Sequence, residues 1–276
     1  MTAVRRAVVA GTWYPASASK IRAEVESYLG LVPDLPPAKR LVGLISPHAG
    51  LRYSGPVAAH AYALLRGHAD LTVILVGPSH RVPFEGVAVV ARGAFETPLG
   101  RAPIDEDVAD RLLAAHPFMV DLPHPHRGEH SLEMQLPFLQ HLVPGLRIVP
   151  ILMGHQKREE ADALAEALGR GLNGLEHVIL VASTDLSHYH PATLANELDA
   201  AVIGDVREFD ADALMARLLR SPGHACGGGP MVAVMKAAAS LGADRSWILR
   251  YADSGDAGER DKSSVVGYLA AALVAG

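Results

Sequence analysis

The sequence predicts an α/β fold: a single-domain sandwich with a mostly parallel or mixed central sheet and helices on both faces. Three observations lead there. Strand-like and helix-like stretches alternate from end to end, the pattern of sheets built with crossover connections. The strand-like runs at residues 41–46, 71–76 and 177–183 are apolar without alternation, which suits strands buried on both faces. Apolar residues make up 49% of 276, enough for one large core, so residues 1–276 are read as one domain.

Gly11-Thr12-Trp13-Tyr14-Pro15 opens the chain irregularly, and its two aromatics are expected to pack against the sheet. Ser17 or Ser19 caps a helix to about residue 29. Residues 33–37 make a Pro-rich turn. The strand at residues 41–46 is broken by Pro47, and His48 follows at once. A Gly-rich loop over residues 49–56 leads to a helix near 57–65, with Pro56 at its start, where the missing N–H is not needed. The run at 71–76 repeats the design: Gly77-Pro78-Ser79 breaks the strand and His80 follows.

Residues 86–92 form a strand. Residues 105–116 are helical, with an acidic start that complements the helix dipole. His116, His124, His126, His155 and His190 are expected on surface loops. Glu129-His130-Ser131-Leu132-Glu133 opens an apolar helix to about residue 142, with Ser131 as candidate cap. A strand at 147–152, a helix at 159–171 and a strand at 177–183 come next. The last ends in Ser183-Thr184-Asp185-Leu186-Ser187-His188. Residues 193–220 make two helices with a break near Asp210. Cys226 and three glycines precede a helix from about Pro230 to Ser240, and strands at 247–251 and 264–273 close the chain.

In open α/β sheets, ligands bind beyond the carboxyl ends of the strands. His48 and His80 are delivered there by two strands expected to be neighbours. Asp185, His188 and Cys226 sit at further strand or loop ends. Imidazole and thiolate are both ligands for iron, copper or zinc. Cys226 lies just before a helix, whose positive end is expected to lower its thiol pKa. Asp185, three residues before His188, is placed to orient that imidazole or to act as a ligand itself. Glu129, His130 and Glu133 serve either as a helix cap or as pocket residues, and Tyr53 is a candidate to face the site from the loop after His48.

The formal net charge of −5 and the lack of a long basic run disfavour nucleic acid and anionic membrane as partners. One cysteine excludes an internal disulfide framework and suits a reducing compartment. The apolar stretch after Arg5-Arg6 is too short for a signal peptide, so a cytoplasmic location is expected.

Pro47-His48-Ala49-Gly50, Gly77-Pro78-Ser79-His80, Glu129-His130-Ser131-Leu132-Glu133, the cluster at 183–188 and Cys226-Gly227 occur in that order. Gly11-Thr12-Trp13-Tyr14 precedes them and Ser264-Val265-Val266-Gly267-Tyr268-Leu269-Ala270 follows. The ordered set resembles the Memo family, known in prokaryotes as AmmeMemoRadiSam system protein B, over essentially the whole chain. The resemblance implies a fold like the class III extradiol dioxygenases (the LigB-like group), with a metal site at the strand ends. It implies that His48, His80 and Cys226 hold iron(II) or copper, where those dioxygenases use two histidines and a glutamate. A thiolate makes the site softer, so zinc is a further candidate. It also implies redox chemistry of dioxygenase type, with His188 as acid/base and Asp185 beside it. Arg81 stands where many relatives carry a second histidine, and it joins Tyr53, Glu129, His130 and Glu133 as a pocket residue for a small molecule or peptide. Radical SAM and AMMECR-type proteins are the implied partners. Two other functions stay open: a non-catalytic protein- or peptide-binding partner, and a zinc-dependent hydrolase.

Overall fold

The structure, a computed structural model, describes residues 3–34, 39–257 and 261–276. The turn expected at 33–37 lies largely outside these residues. From the N-terminus, β1 (Val4–Arg5) and α1 (Ala18–Leu29) precede β2 (Arg40–Ser46), α2 (Leu51–Tyr62) and β3 (Thr72–Pro78). Short strands follow: β4 (Val87–Val89), β5 (Ala94–Thr97), β6 (Gly100–Pro103) and, after α3 (Glu106–Ala115), β7 (Met119–Asp121). Next come α4 (Leu136–Leu142), β8 (Arg147–Met153), α5 (Arg158–Leu172), β9 (Val178–Ser183) and β10 (His188–His190). The chain closes with α6 (Ala192–Arg207), α7 (Ala211–Arg220), α8 (Gly228–Ser240), β11 (Arg245–Asp253) and β12 (Val265–Ala275).

The non-alternating runs become the centre of the sheet, because only there are both faces covered. The nine-stranded sheet runs β10-β12-β2-β9-β3-β8-β4-β7, with β11 on β12. Its centre, β2-β9-β3-β8, is parallel. Antiparallel pairs on either side, β12 with β2 and β4 with β8, make the whole sheet mixed. One helical layer contains α1, α2 and α4; α3, α5, α8 and α7 pack in sequence to form the other. α8 is buried almost all round, as its continuous Ala/Met/Val run requires, and it lies on β9, β3 and β2. A single apolar core joins the layers. Among the described residues no helix is long and apolar enough to cross a membrane.

Two expectations are corrected. β2 and β3 are not neighbours, since β9 lies between them. α2 begins at Leu51 and contains Pro56, where the sequence suggested a loop to residue 56. The start is set by one tertiary and one local contact: the Leu51 N–H donates to the Trp13 carbonyl at 2.8 Å, and the Ser54 hydroxyl to the Ala49 carbonyl at 2.8 Å. Gly55 lets Tyr28 of α1 press in, for a Cβ there would stand 2.5 Å from the Tyr28 ring. The break expected near Asp210 is present, and Asp210 caps α7 by accepting from the Ala213 N–H at 2.8 Å. The strands β1, β5, β6, β7 and β10 carry no sequence signal of their own. They are two to four residues long and exist through pairing.

Candidate metal centre

The insertion of β9 between β2 and β3 brings three strand ends together. His48 follows β2, His80 follows β3, and Asp185 and His188 follow β9. The Cys226 turn folds over the end of β9: the Cys226 N–H donates to the Asp185 carbonyl at 3.2 Å and the Gly227 N–H to Thr184 Oγ1 at 2.9 Å. Gly227 permits this approach, because a Cβ there would stand 2.4 Å from the Ser183 carbonyl oxygen.

Hydrogen bonding decides which imidazole nitrogens face inward. Ser183 Oγ gives its one proton to the Ser131 carbonyl at 2.7 Å and accepts from Gln135 Nε2 at 2.7 Å. Toward His48 Nδ1, 2.9 Å away, it therefore accepts, so Nδ1 carries the proton. His48 Nε2 is left as a lone pair, 3.2 Å from Cys226 Sγ. His80 Nδ1 donates to Glu129 Oε1 at 2.9 Å, and His188 Nδ1 to the Leu186 carbonyl at 2.8 Å. In the neutral rings both keep Nε2 unprotonated.

The electrostatics favour the neutral ring at His48 and His130. Burial, with His80 and His130 nearby, holds the His48 pKa well below the ordinary histidine value. Burial likewise lowers His130 to about 4. Burial opposes ionisation of Glu129, but the His80 hydrogen bond and charge outweigh it and hold that carboxyl well below its usual range. Asp185 is pushed by burial up to about 6, against the pull of the His48 N–H it accepts at 2.8 Å. Cys226 goes the opposite way to the expectation: burial and the Asp185 carboxylate push its thiol up. The Asp185 N–H, 3.3 Å from Sγ, and the Gly227 N–H pull the other way and are outweighed, and both glycine N–H groups at the start of α8 also serve other acceptors. Gly227 gives its own to Thr184, and Gly229 gives its own to Gln156 Oε1 at 2.9 Å.

These donors suit a cation. Two ligands of one ion, about 2.0 and 2.3 Å from it for nitrogen and sulfur, stand about 3.5 Å apart at a tetrahedral angle, close to the 3.2 Å between His48 Nε2 and Cys226 Sγ. Among the described residues two groups have ligand atoms within 4.8 Å of one another: His48, His80 and His130; and His48, Asp185 and Cys226. The expected trio spans both groups, with His48 common to them. A cavity of about 550 Å³ opens over this cluster, walled also by Trp13, His188, Tyr189, His190 and Val266.

The profile of the family described as "Memo-like protein" matches residues 5–272. This chain belongs to that family. The Memo-like chain is 37% identical over 279 residues to a MEMO1 family protein of Methanococcus maripaludis, spanning 96% of this chain and 97% of the relative. It is 35% identical over 274 residues to a MEMO1 family protein of Methanothermobacter thermautotrophicus, spanning 96% and 98%. A MEMO1 family protein of Methanosarcina mazei is 37% identical over 271 residues, spanning 97% and 98%.

The pocket residues expected of a Memo-like chain divide. His130 lines the cavity; Tyr53, Arg81, Glu129 and Glu133 are not among the described residues that do. Arg81 is exposed, and Tyr53 is half-buried on α2 beneath Arg52. Glu129 lies behind His80. Glu133 is fully buried and ties down the N-terminal segment through Arg5, the Val8 N–H at 2.9 Å and the Tyr14 hydroxyl at 2.7 Å. Neither glutamate caps a helix: Ser131 Oγ donates to the Pro78 carbonyl at 3.0 Å. His188 is oriented by Leu186, not by Asp185, whose carboxylate is engaged with the His48 and Ala49 N–H groups. Trp13 lies edge-on to His130, ring centroids 4.3 Å apart, so it lines the cavity, while Tyr14 packs inside. His190 also lines the cavity, and His126 is buried with Nε2 3.1 Å from the Ala88 carbonyl, so neither is an idle surface histidine. Ser183 and Gln135 escaped the sequence reading. A serine ending a strand and a glutamine opening a helix carry no local signal of such a role.

Proposed function

We propose that this Memo-like protein is a metal-dependent redox protein of dioxygenase type, with His48, His80 and Cys226 holding iron(II) or copper. The observation that carries the proposal is the 3.2 Å approach of a deprotonated imidazole nitrogen to a sulfur at the convergence of the strand ends. Support comes from Ser183 and Glu129, which sit behind His48 and His80 as hydrogen-bond partners do behind metal-binding histidines. When bound, iron or copper would supply one-electron chemistry. The chain's own groups do the rest. His188, its Nδ1–H held by the Leu186 carbonyl, offers Nε2 to accept and return a proton in the cavity. Asp185 fixes the His48 backbone through its N–H. Ala49, Ala225 and Val266 give part of the cavity an apolar wall.

The test is metal analysis by mass spectrometry on untagged protein purified without chelator, wild type beside Cys226→Ala. Near-stoichiometric iron or copper in the wild type and its loss in the variant are expected, with oxygen uptake after iron(II) loading. Wild-type protein that retains zinc alone and consumes no oxygen would overturn the reading.

A further inference from the structure

We propose that His130 is a third imidazole ligand of the ion at His48, so that the cleft presents three ring nitrogens and one sulfur. The inference rests on the metal-centre reading above and adds the composition of its donor set.

Ring nitrogens of His48, His80 and His130 lie within 4.8 Å of one another. The ring centroids are 5.2 Å apart for His48 and His80, 5.7 Å for His48 and His130, and 4.8 Å for His80 and His130. An ion about 2.0–2.1 Å from a ring nitrogen is about 3 Å from that ring's centroid, so two imidazoles on one ion stand about 5 Å apart at near-tetrahedral angles. All three separations fit that figure. No pair of these rings shares a hydrogen bond, so packing alone leaves their polarity unanswered. His130 Nδ1 is buried without a hydrogen-bond partner among the described residues; it stands 3.2 Å from Glu129 Oε1, out of alignment.

A single carboxylate organises His80 and His130. Glu129 Oε1 accepts from His80 Nδ1 at 2.9 Å and from the N–H groups of His130 and Ser131 at 2.8 and 2.9 Å, while Oε2 accepts from the His80 N–H at 2.6 Å. The end of β3 and the segment bearing His130 are thereby registered to each other through one group. Trp13 lies edge-on to the His130 ring, with centroids 4.3 Å apart. Cys226 Sγ stands 3.2 Å from the same His48 Nε2, in a donor group that shares only His48 with the three imidazoles, so closure on one ion draws the sulfur toward them.

Cobalt(II) is the probe. Full-length protein stripped of metal is loaded with cobalt(II), and its optical spectrum and X-ray absorption at the cobalt edge are recorded. One cobalt per chain, fitted by three imidazoles and one sulfur, is expected. His130→Phe, which keeps a ring beside Trp13, should lower cobalt affinity at least about 100-fold, the upper range for losing even an outer-shell partner. It should also remove one imidazole from the fit and keep the sulfur-to-cobalt band. His130→Gln serves as the second variant, with circular dichroism reporting that each is folded. Wild-type cobalt affinity in both variants, or only two imidazoles around cobalt in the wild type, overturns the proposal and leaves the metal centre standing. No cobalt uptake by the wild type, or unaltered uptake by His48→Ala and Cys226→Ser, overturns the metal-centre reading and this proposal together.

Discussion

Ser183 shows how much of this centre depends on one hydroxyl. With a single proton to give, committed to the Ser131 carbonyl, it forces His48 to donate from Nδ1. Ser183→Ala removes that acceptor, leaves Gln135 Nε2 short of a partner and frees His48 to change tautomer. A loss of about 1–3 kcal/mol in stability is expected, with metal affinity about 10–100-fold weaker. Denaturant titration and competitive chelation measure the two. His126 offers a separate test away from the cleft. Burial lowers its pKa to about 4 in the folded chain, against 6.5 when exposed. Between those values the unfolded chain takes up the proton and the folded chain does not. The stability this group supports is thus complete above pH 6.5 and declines as pH falls toward 4, by about 3 kcal/mol. His126→Gln should flatten that part of the stability–pH curve, measured by urea unfolding from pH 7 to 4. An unchanged slope contradicts the assignment.

At the scale of elements, the N-terminal segment is held by a buried acid rather than by sheet pairing. β1 contributes two residues to a three-stranded sheet, too few to fix the segment that carries Trp13. Glu133 does so with Arg5, the Val8 and Val9 N–H groups and Tyr14. Glu133→Gln would leave the Arg5 guanidinium buried without its charge partner, which costs about 3–5 kcal/mol. A lower urea midpoint is expected, together with a change in Trp13 emission as the segment loosens from His130. The double variant Glu133→Gln/Arg5→Met should recover part of the loss, since it removes the uncompensated guanidinium and keeps an amide oxygen to accept from the Val8, Val9 and Tyr14 donors.

Over the whole molecule, the site follows from strand order. Every donor lies beyond the carboxyl end of a parallel strand or on a turn folded over one, and the reversal of winding around β9 opens the cleft between them. This explains why four distant segments meet: His48, His80, His130 and Cys226 are separated in the chain but joined by the β2-β9-β3 arrangement.

The sequence alone determined the α/β class, the buried strands at 41–46, 71–76 and 177–183, the break at Asp210 and the histidines and cysteine at their ends. Those features are written in local chemistry: unbroken apolar runs, and proline or glycine where a strand must stop. Tertiary structure alone decided that β9 separates β2 from β3, that Glu129 and Glu133 serve as buried anchors, and that the Cys226 thiol is raised rather than lowered. Each of those depends on which groups meet across more than 40 residues of chain and on how much water they keep, as Cys226 with Asp185 and Glu133 with Arg5 show. Hydrogen-bond partners and burial set a side chain's charge, and neither is carried by the residues next to it in sequence.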